Sequence, residues 1–218
     1  MIAEKLQNKI NISIVLCLCF GLFACTDSTE IKKDLPFFGE GGIQDGAAFT
    51  VPKFSFINQD SVETSHRDYQ GHVYVTDFFF TTCPSICPIM SSQMSRLQGL
   101  LQNKELWGEV KLLSHTVDPE HDRPSVLKAY AERLGADLEH WNFVWGSQDD
   151  LYDQARYGYF MTALESDTAA GGFFHSDNFV LIDQNMHIRG YYDGTSTKDV
   201  DQLLLDIEYL VKHIPNEQ

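Results

Sequence analysis

Residues 73–88 read V-Y-V-T-D-F-F-F-T-T-C-P-S-I-C-P. The first half, residues 73–80, is β-branched and aromatic enough for a buried strand. Beyond it, Met90, Met94, Leu97 and Leu101 recur at helical spacing. Cys83 and Cys87 therefore stand where a strand turns into a helix, each followed by a proline. Proline suits the first turn of a helix, where its missing N–H would go unsatisfied in any case, so Pro84 and Pro88 both fit such a turn.

That position sets the chemistry of the sulfurs. The unpaired N–H groups of a first helical turn, with the positive end of the helix dipole, stabilise a thiolate and lower the thiol pKa. At a spacing of four, the two side chains share one helix face if Cys83 is already helical, or converge across the turn if it is not. Either arrangement lets them close as a disulfide or share one soft metal ion, Cu(I) and Zn(II) being the natural candidates. Inert structural cysteines would sit inside an apolar run, and neither of these does.

Upstream, Lys5 and Lys9 precede an apolar run at 14–24 that is too short to span a bilayer as a helix. A charged start and a short apolar centre read as a signal peptide over residues 1–24. The run ends L-F-A-C, which is similar to the bacterial lipobox and makes Cys25 the expected lipidation site. Phe23 is bulky for the middle of a lipobox, and a plain membrane-anchored start is the alternative. Both readings put the remaining chain outside the cytoplasm, on the periplasmic side. Cys17 and Cys19 then belong to the signal peptide, which leaves Cys83 and Cys87 as the cysteines of the globular part. One pair in an extracytoplasmic chain is no disulfide scaffold.

Residues 25–47 are polar, with Gly39, Gly41, Gly42 and Gly46, and read as a tether lifting the domain off the membrane. Residues 48–218 are enough for one domain with a full core. Without residues 1–24, which carry Lys5, Lys9 and Glu4, the formal charge moves from −15 to −16. So negative a chain is not expected to bind nucleic acid or to adhere to anionic lipid through basic residues.

Within the domain, residues 49–57 alternate as a strand, Asn58-Gln59-Asp60-Ser61 is turn chemistry, and 62–64 can return as a second strand. After the 73–80 strand come a helix from 87 to about 101, a strand at 110–117 and a helix at 124–134. A strand at 141–145 and a helix from 149 to about 157, capped by Ser147, follow. Strands at 179–183 and 187–192 flank a turn at Gln184-Asn185-Met186, and a helix at 197–213 closes the chain. Strand, helix, strand, helix implies a parallel βαβ arrangement. The whole reads as α/β, a thioredoxin-like fold with an N-terminal β-hairpin extension.

In such a fold the loop before the 179–183 strand, G-G-F-F-H-S-D, lies beside the cysteine turn and brings His175 to Cys83 and Cys87. Two thiolates and one imidazole make a three-coordinate site suited to copper, the sulfurs favouring Cu(I) and the nitrogen allowing Cu(II).

At this point three segments, T-T-C-P-S-I-C-P, then V-D-P-E-H-D at 117–122, then F-F-H-S-D at 173–177, resemble the SCO/SenC family of copper-binding proteins. The resemblance runs from about residue 49 to 214. It implies a membrane-tethered copper metallochaperone, not an enzyme, that serves the dinuclear copper centre of cytochrome c oxidase. Its implied partners are a copper-accepting oxidase subunit and an upstream copper donor. Carried over by position, Cys83, Cys87 and His175 are the implied copper ligands, and Asp118 matches a family aspartate near the site that tunes or supplements them. His115 stands where the family usually has an apolar residue, and His121 where it often has arginine; each is an extra ligand or, more simply, a core or surface histidine. Met90 and Met94 offer soft sulfur on the Cys87 stripe, but their spacing is that of core packing.

A thiol–disulfide oxidoreductase that reduces the cysteines of the oxidase copper site is the nearest alternative. Against it stand the C-x-x-x-C spacing and the lack of any proline between Pro124 and Pro215, where thioredoxin-type reductases resemble one another in a cis-proline facing the cysteines. A peroxiredoxin-like peroxidase would want a hydroxyl three residues before its cysteine, where this chain has Phe80. A structural zinc site would need Asp118 or His115 as a fourth ligand.

Overall fold

The computed structural model describes residues 35–43, 48–166, 168 and 170–213. The expected signal peptide, the expected lipidation site Cys25 and residues 26–34 and 44–47 of the expected tether lie outside the described residues. In chain order the elements are β1 (Phe38–Gly39), β2 (Gly42–Ile43), β3 (Ser55–Asn58), β4 (Glu63–Ser65), β5 (Val73–Phe79), α1 (Cys87–Asn103) and β6 (Val110–Thr116). They continue with α2 (Pro124–Leu134), β7 (Trp141–Trp145), α3 (Gln148–Asp153), β8 (Ala163–Glu165), β9 (Phe173–His175), β10 (Asn178–Ile182), β11 (Ile188–Asp193) and α4 (Thr197–His213).

Nine strands form one mixed sheet in the order β2-β1-β11-β10-β5-β6-β7-β3-β4. β5, β6 and β7 are parallel, and β10 and β11 add antiparallel beside β5. This is the thioredoxin-like arrangement. Every residue of β5 is buried, because a strand at the centre of such a sheet is covered on both faces. α1 buries Cys87, Met90, Met94, Leu97 and Leu101, a stripe at three- and four-residue spacing, so both methionines are core residues. α2 opens on Pro124 and stops at Gly135, whose φ of 67° is the left-handed conformation that ends helices cheaply only in glycine.

Three boundaries differ from the sequence reading. The tether assignment of residues 25–47 does not extend through 35–43: β1 and β2 pair with each other, and β1 pairs with β11. The compact unit thus begins at Leu35, not residue 48. Arg189 fastens this segment, donating to the carbonyls of Leu35 at 2.6 Å and Pro36 at 3.1 Å while ion-paired at 2.7 Å with buried Asp183. Second, residues 49–57 are not one strand. Thr50 bridges to His187 on the β11 side, Pro52 lacks the N–H to continue a ladder, and pairing resumes at Ser55 against β4 and β7. The expected hairpin is therefore an edge extension of the main sheet. Third, the helix after Ser147 is α-helical only to Asp153 and runs on as one π-helical turn, Gln154–Gly158. There the Tyr159 N–H reaches the Gln154 carbonyl at 3.1 Å. The Ser147 hydroxyl caps this helix, accepting from Asp150 N–H at 3.2 Å.

Candidate metal centre

The site is built at the C-terminal end of β5. The chain leaves the sheet at Phe79, turns through Thr81 and Thr82, and enters α1 at Cys87, its first helical residue. Cys83 is not helical, so the sulfurs converge across the turn, the second of the two arrangements the spacing permits. Both cysteines are buried and reduced.

His175 reaches them on a separate element. β8 and β9 form a two-stranded antiparallel ladder of their own, with Ala163 opposite His175. Gly171, at φ 83°, lets the chain into this ladder pass so close to Phe80 that a Cβ there would stand 2.7 Å from the ring. Phe80 in turn packs edge-on against the His175 imidazole, centroids 5.9 Å apart.

The ligand atoms of Cys83, Cys87 and His175 all lie within 4.8 Å of one another, and Cys87 Sγ is 3.1 Å from His175 Nε2. A carbonyl can only accept, so the 2.9 Å contact between His175 Nδ1 and the Ser176 carbonyl puts the ring proton on Nδ1. Nε2 then turns its lone pair toward the sulfurs. Burial holds the imidazole below its ordinary pKa, which keeps that lone pair free at neutral pH.

The two thiols differ. Burial pushes Cys87 well up, and Cys83 beside it adds to the rise. Burial also works to raise Cys83, but hydrogen bonds to its sulfur from the Cys87 thiol, the Ser85 N–H and the Cys87 N–H outweigh it and bring Cys83 below the ordinary thiol value. The site therefore offers one thiol that ionises more readily than usual, a second that ionises less readily, and a neutral imidazole. Such a set accepts a soft, low-coordinate metal ion or closes as a disulfide.

The other sequence candidates sit elsewhere. Asp118 is in the loop after β6, half-buried, its Oδ1 accepting from the His121 N–H at 3.3 Å; burial raises its pKa. Its carboxylate is not part of the converging trio. His121 is exposed. His115 is fully buried in the core, stacked on Phe78 at 4.7 Å and edged by Phe56 and Tyr159. One residue that pattern reading passed over is Asp122, fully buried and bonded to Thr81 and Thr116. Its only sequence signal was its place in the V-D-P-E-H-D segment.

A thioredoxin-like domain with a thiol pair and an imidazole converging at the strand-to-helix turn carries the donor set of a soft-metal and thiol-redox protein. The SCO1/SenC family profile matches residues 43–212, and the chain belongs to that family. It is similar to a SCO1/SenC family lipoprotein from Bacillus anthracis, at 30% identity and a TM-score of 0.70, covering 75% of this chain and 95% of that one. BsSco, described with a disulfide switch and as a member of the Sco family of cytochrome c oxidase assembly proteins, is 27% identical with a TM-score of 0.68, covering 78% and 98%. Arabidopsis thaliana ScoI, solved with copper bound, matches in fold at 21% identity and a TM-score of 0.62, covering 76% and 100%.

Proposed function

We propose that this protein carries one copper ion on Cys83 Sγ, Cys87 Sγ and His175 Nε2 and passes it by stepwise ligand exchange to the copper-accepting subunit of a cytochrome c oxidase. The observation that carries this reading is the convergence of those three donors within 4.8 Å, with the imidazole lone pair turned inward. Three ligands leave the ion open to an incoming cysteine or histidine, which keeps transfer fast. The protein acts as a carrier, not a catalyst, and receives its copper from an upstream donor. A lipid on Cys25 would hold it at the membrane; no helix among the described residues is long and apolar enough to cross one, and the lipoprotein relative supports the anchor.

The difference between Cys83 and Cys87 supports a second role in thiol–disulfide exchange. The Cys83 thiolate attacks a partner disulfide and Cys87 resolves the mixed disulfide, so a pair of partner cysteines leaves reduced while Cys83 and Cys87 become oxidised. The deciding experiment is copper binding to the protein in its reduced state and after closing the pair. One equivalent when reduced and none when oxidised or in Cys87→Ser is expected. Unchanged stoichiometry and affinity in Cys87→Ser would remove this site from the proposal.

A further inference from the structure

The turn that presents Cys83 is held from behind by a carboxylate. Asp122 has no exposed surface, yet among the described residues no lysine or arginine is ion-paired with it. Hydrogen-bond donors surround it instead. Its Oδ2 accepts from the Thr81 N–H at 3.0 Å and the Thr116 hydroxyl at 2.7 Å, and its Oδ1 accepts from the Thr81 hydroxyl. Its own N–H donates to the Asp118 carbonyl at 2.8 Å, and the Thr116 hydroxyl also accepts from the Asp118 N–H at 3.0 Å.

These bonds extend the β5–β6 pairing, whose last contact is the Val117 N–H on the Phe79 carbonyl at 2.8 Å, into the turn two residues before Cys83 and the loop carrying Asp118. The turn needs such a hold. Pro84 contributes no N–H, and the Cys83 N–H bonds within the turn, to Phe80 at 3.2 Å. Thr81 is fixed on one side by Asp122, while its neighbour Phe80 supports the His175 ring on the other. A charge buried without a counter-ion is costly, and three converging donors are what make it tolerable.

We infer that Asp122 is the positioning residue of the thiol site: by anchoring Thr81 it fixes the separation of Cys83 from Cys87, and it couples that turn to the Asp118 loop. This rests on Cys83, Cys87 and His175 being the working site, but it predicts a copper-free property as well. The ease of closing the Cys83–Cys87 disulfide depends on where the turn holds Cys83.

Asp122→Asn is the informative change, because it keeps the shape. An amide oxygen in the Oδ2 place keeps the bonds from the Thr81 N–H and the Thr116 hydroxyl, but as weaker neutral ones, and an NH2 in the Oδ1 place forces the Thr81 hydroxyl to turn from donor to acceptor. In a glutathione buffer, one oxidised glutathione becomes two reduced as the two thiols give up two protons and two electrons, so the equilibrium reads the geometry directly. Asp122→Asn is expected to shift that equilibrium constant and to weaken copper binding, each by about tenfold or more, while Thr81→Ser, which keeps N–H and hydroxyl, stays near wild type. A lowered melting temperature with the glutathione equilibrium and copper affinity both unchanged would show Asp122 to be merely structural and overturn the inference. If Asp122→Asn does not fold, Thr81→Val removes only one of the bonds and must move the equilibrium in the same direction or the inference fails. Absence of copper binding by the wild-type protein would defeat the carrier reading alone, and the glutathione equilibrium would still decide for or against Asp122.

Discussion

Replacing His115 by phenylalanine should change how stability depends on pH, and the size of the change follows from two buried groups. His115 has its Nδ1 at 3.1 Å from the Thr76 hydroxyl, whose own proton goes to the Leu113 carbonyl, so Nδ1 carries the hydrogen and Nε2 is left without a partner. Burial drives its pKa down to about 3. The unfolded imidazole, near its ordinary value, takes up a proton that the folded one refuses, so stability falls as pH falls from the ordinary value toward 3. Between pH 7.5 and 5 this amounts to about 2 kcal/mol.

Asp77, also fully buried, has the opposite effect: burial raises its carboxyl to about 7, against a lowering by a hydrogen bond with Ser114. The folded protein keeps a proton that the unfolded chain releases, so this group adds stability as pH falls through 7, by about 2.5 kcal/mol over the same interval. The two nearly cancel, and wild type is expected to be almost flat from these sources. His115→Phe, which preserves the ring stack on Phe78, should become more stable by about 2.5 kcal/mol between pH 7.5 and 5, and Asp77→Asn less stable by about 2 kcal/mol. Urea unfolding at pH 7.5, 6 and 5 measures all three proteins, with other titrations common to them. If both variants track wild type across that range, the burial assigned to these groups does not control their protonation and the reasoning is wrong.

Arg189→Met would leave the Asp183 carboxylate buried without its cation and release the Leu35 and Pro36 carbonyls. It should destabilise the protein by about 3 kcal/mol and expose residues 35–43 to limited proteolysis; a protease pattern identical to wild type would contradict that anchoring. Gly171→Ala sets a methyl against Phe80 and a left-handed φ against alanine, so the ladder bearing His175 must shift. Copper affinity should drop several-fold, roughly what an off-position third ligand costs, while the rate of Cys83 alkylation stays that of wild type; unaltered affinity would show that His175 does not depend on this close approach.

Much of this was legible in the residues alone. The switch from the 73–80 run to the stripe Met90, Met94, Leu97, Leu101 located the turn and the sulfurs, and Pro124 with Gly135 bounded α2 because both are local backbone constraints. His175 was reached through topology, since the fold carries the 173–177 segment to the cysteines. What pattern reading lost was set by tertiary partners. β1 is two residues in a glycine-rich stretch, and its strand character comes from β11 and from Arg189, far along the chain. The break within 49–57 depends on which side of the sheet each half meets, which alternation does not encode. Asp122 looks like any acidic residue of a polar loop until Thr81 and Thr116 are seen closing on it.

The ladder of β8 and β9 shares no backbone pairing with the nine-stranded sheet. Moving the imidazole away therefore breaks no ladder of the main sheet; it costs bonds of the hairpin, among them Ser176 N–H to the Thr162 carbonyl at 3.0 Å, together with the ring contact on Phe80 and the 3.1 Å approach to Cys87 Sγ. The three donors are thus unequally supported. Two stand at the end of the main sheet and one on a separate hairpin, so an ion held by all three would tie that hairpin to the end of the sheet.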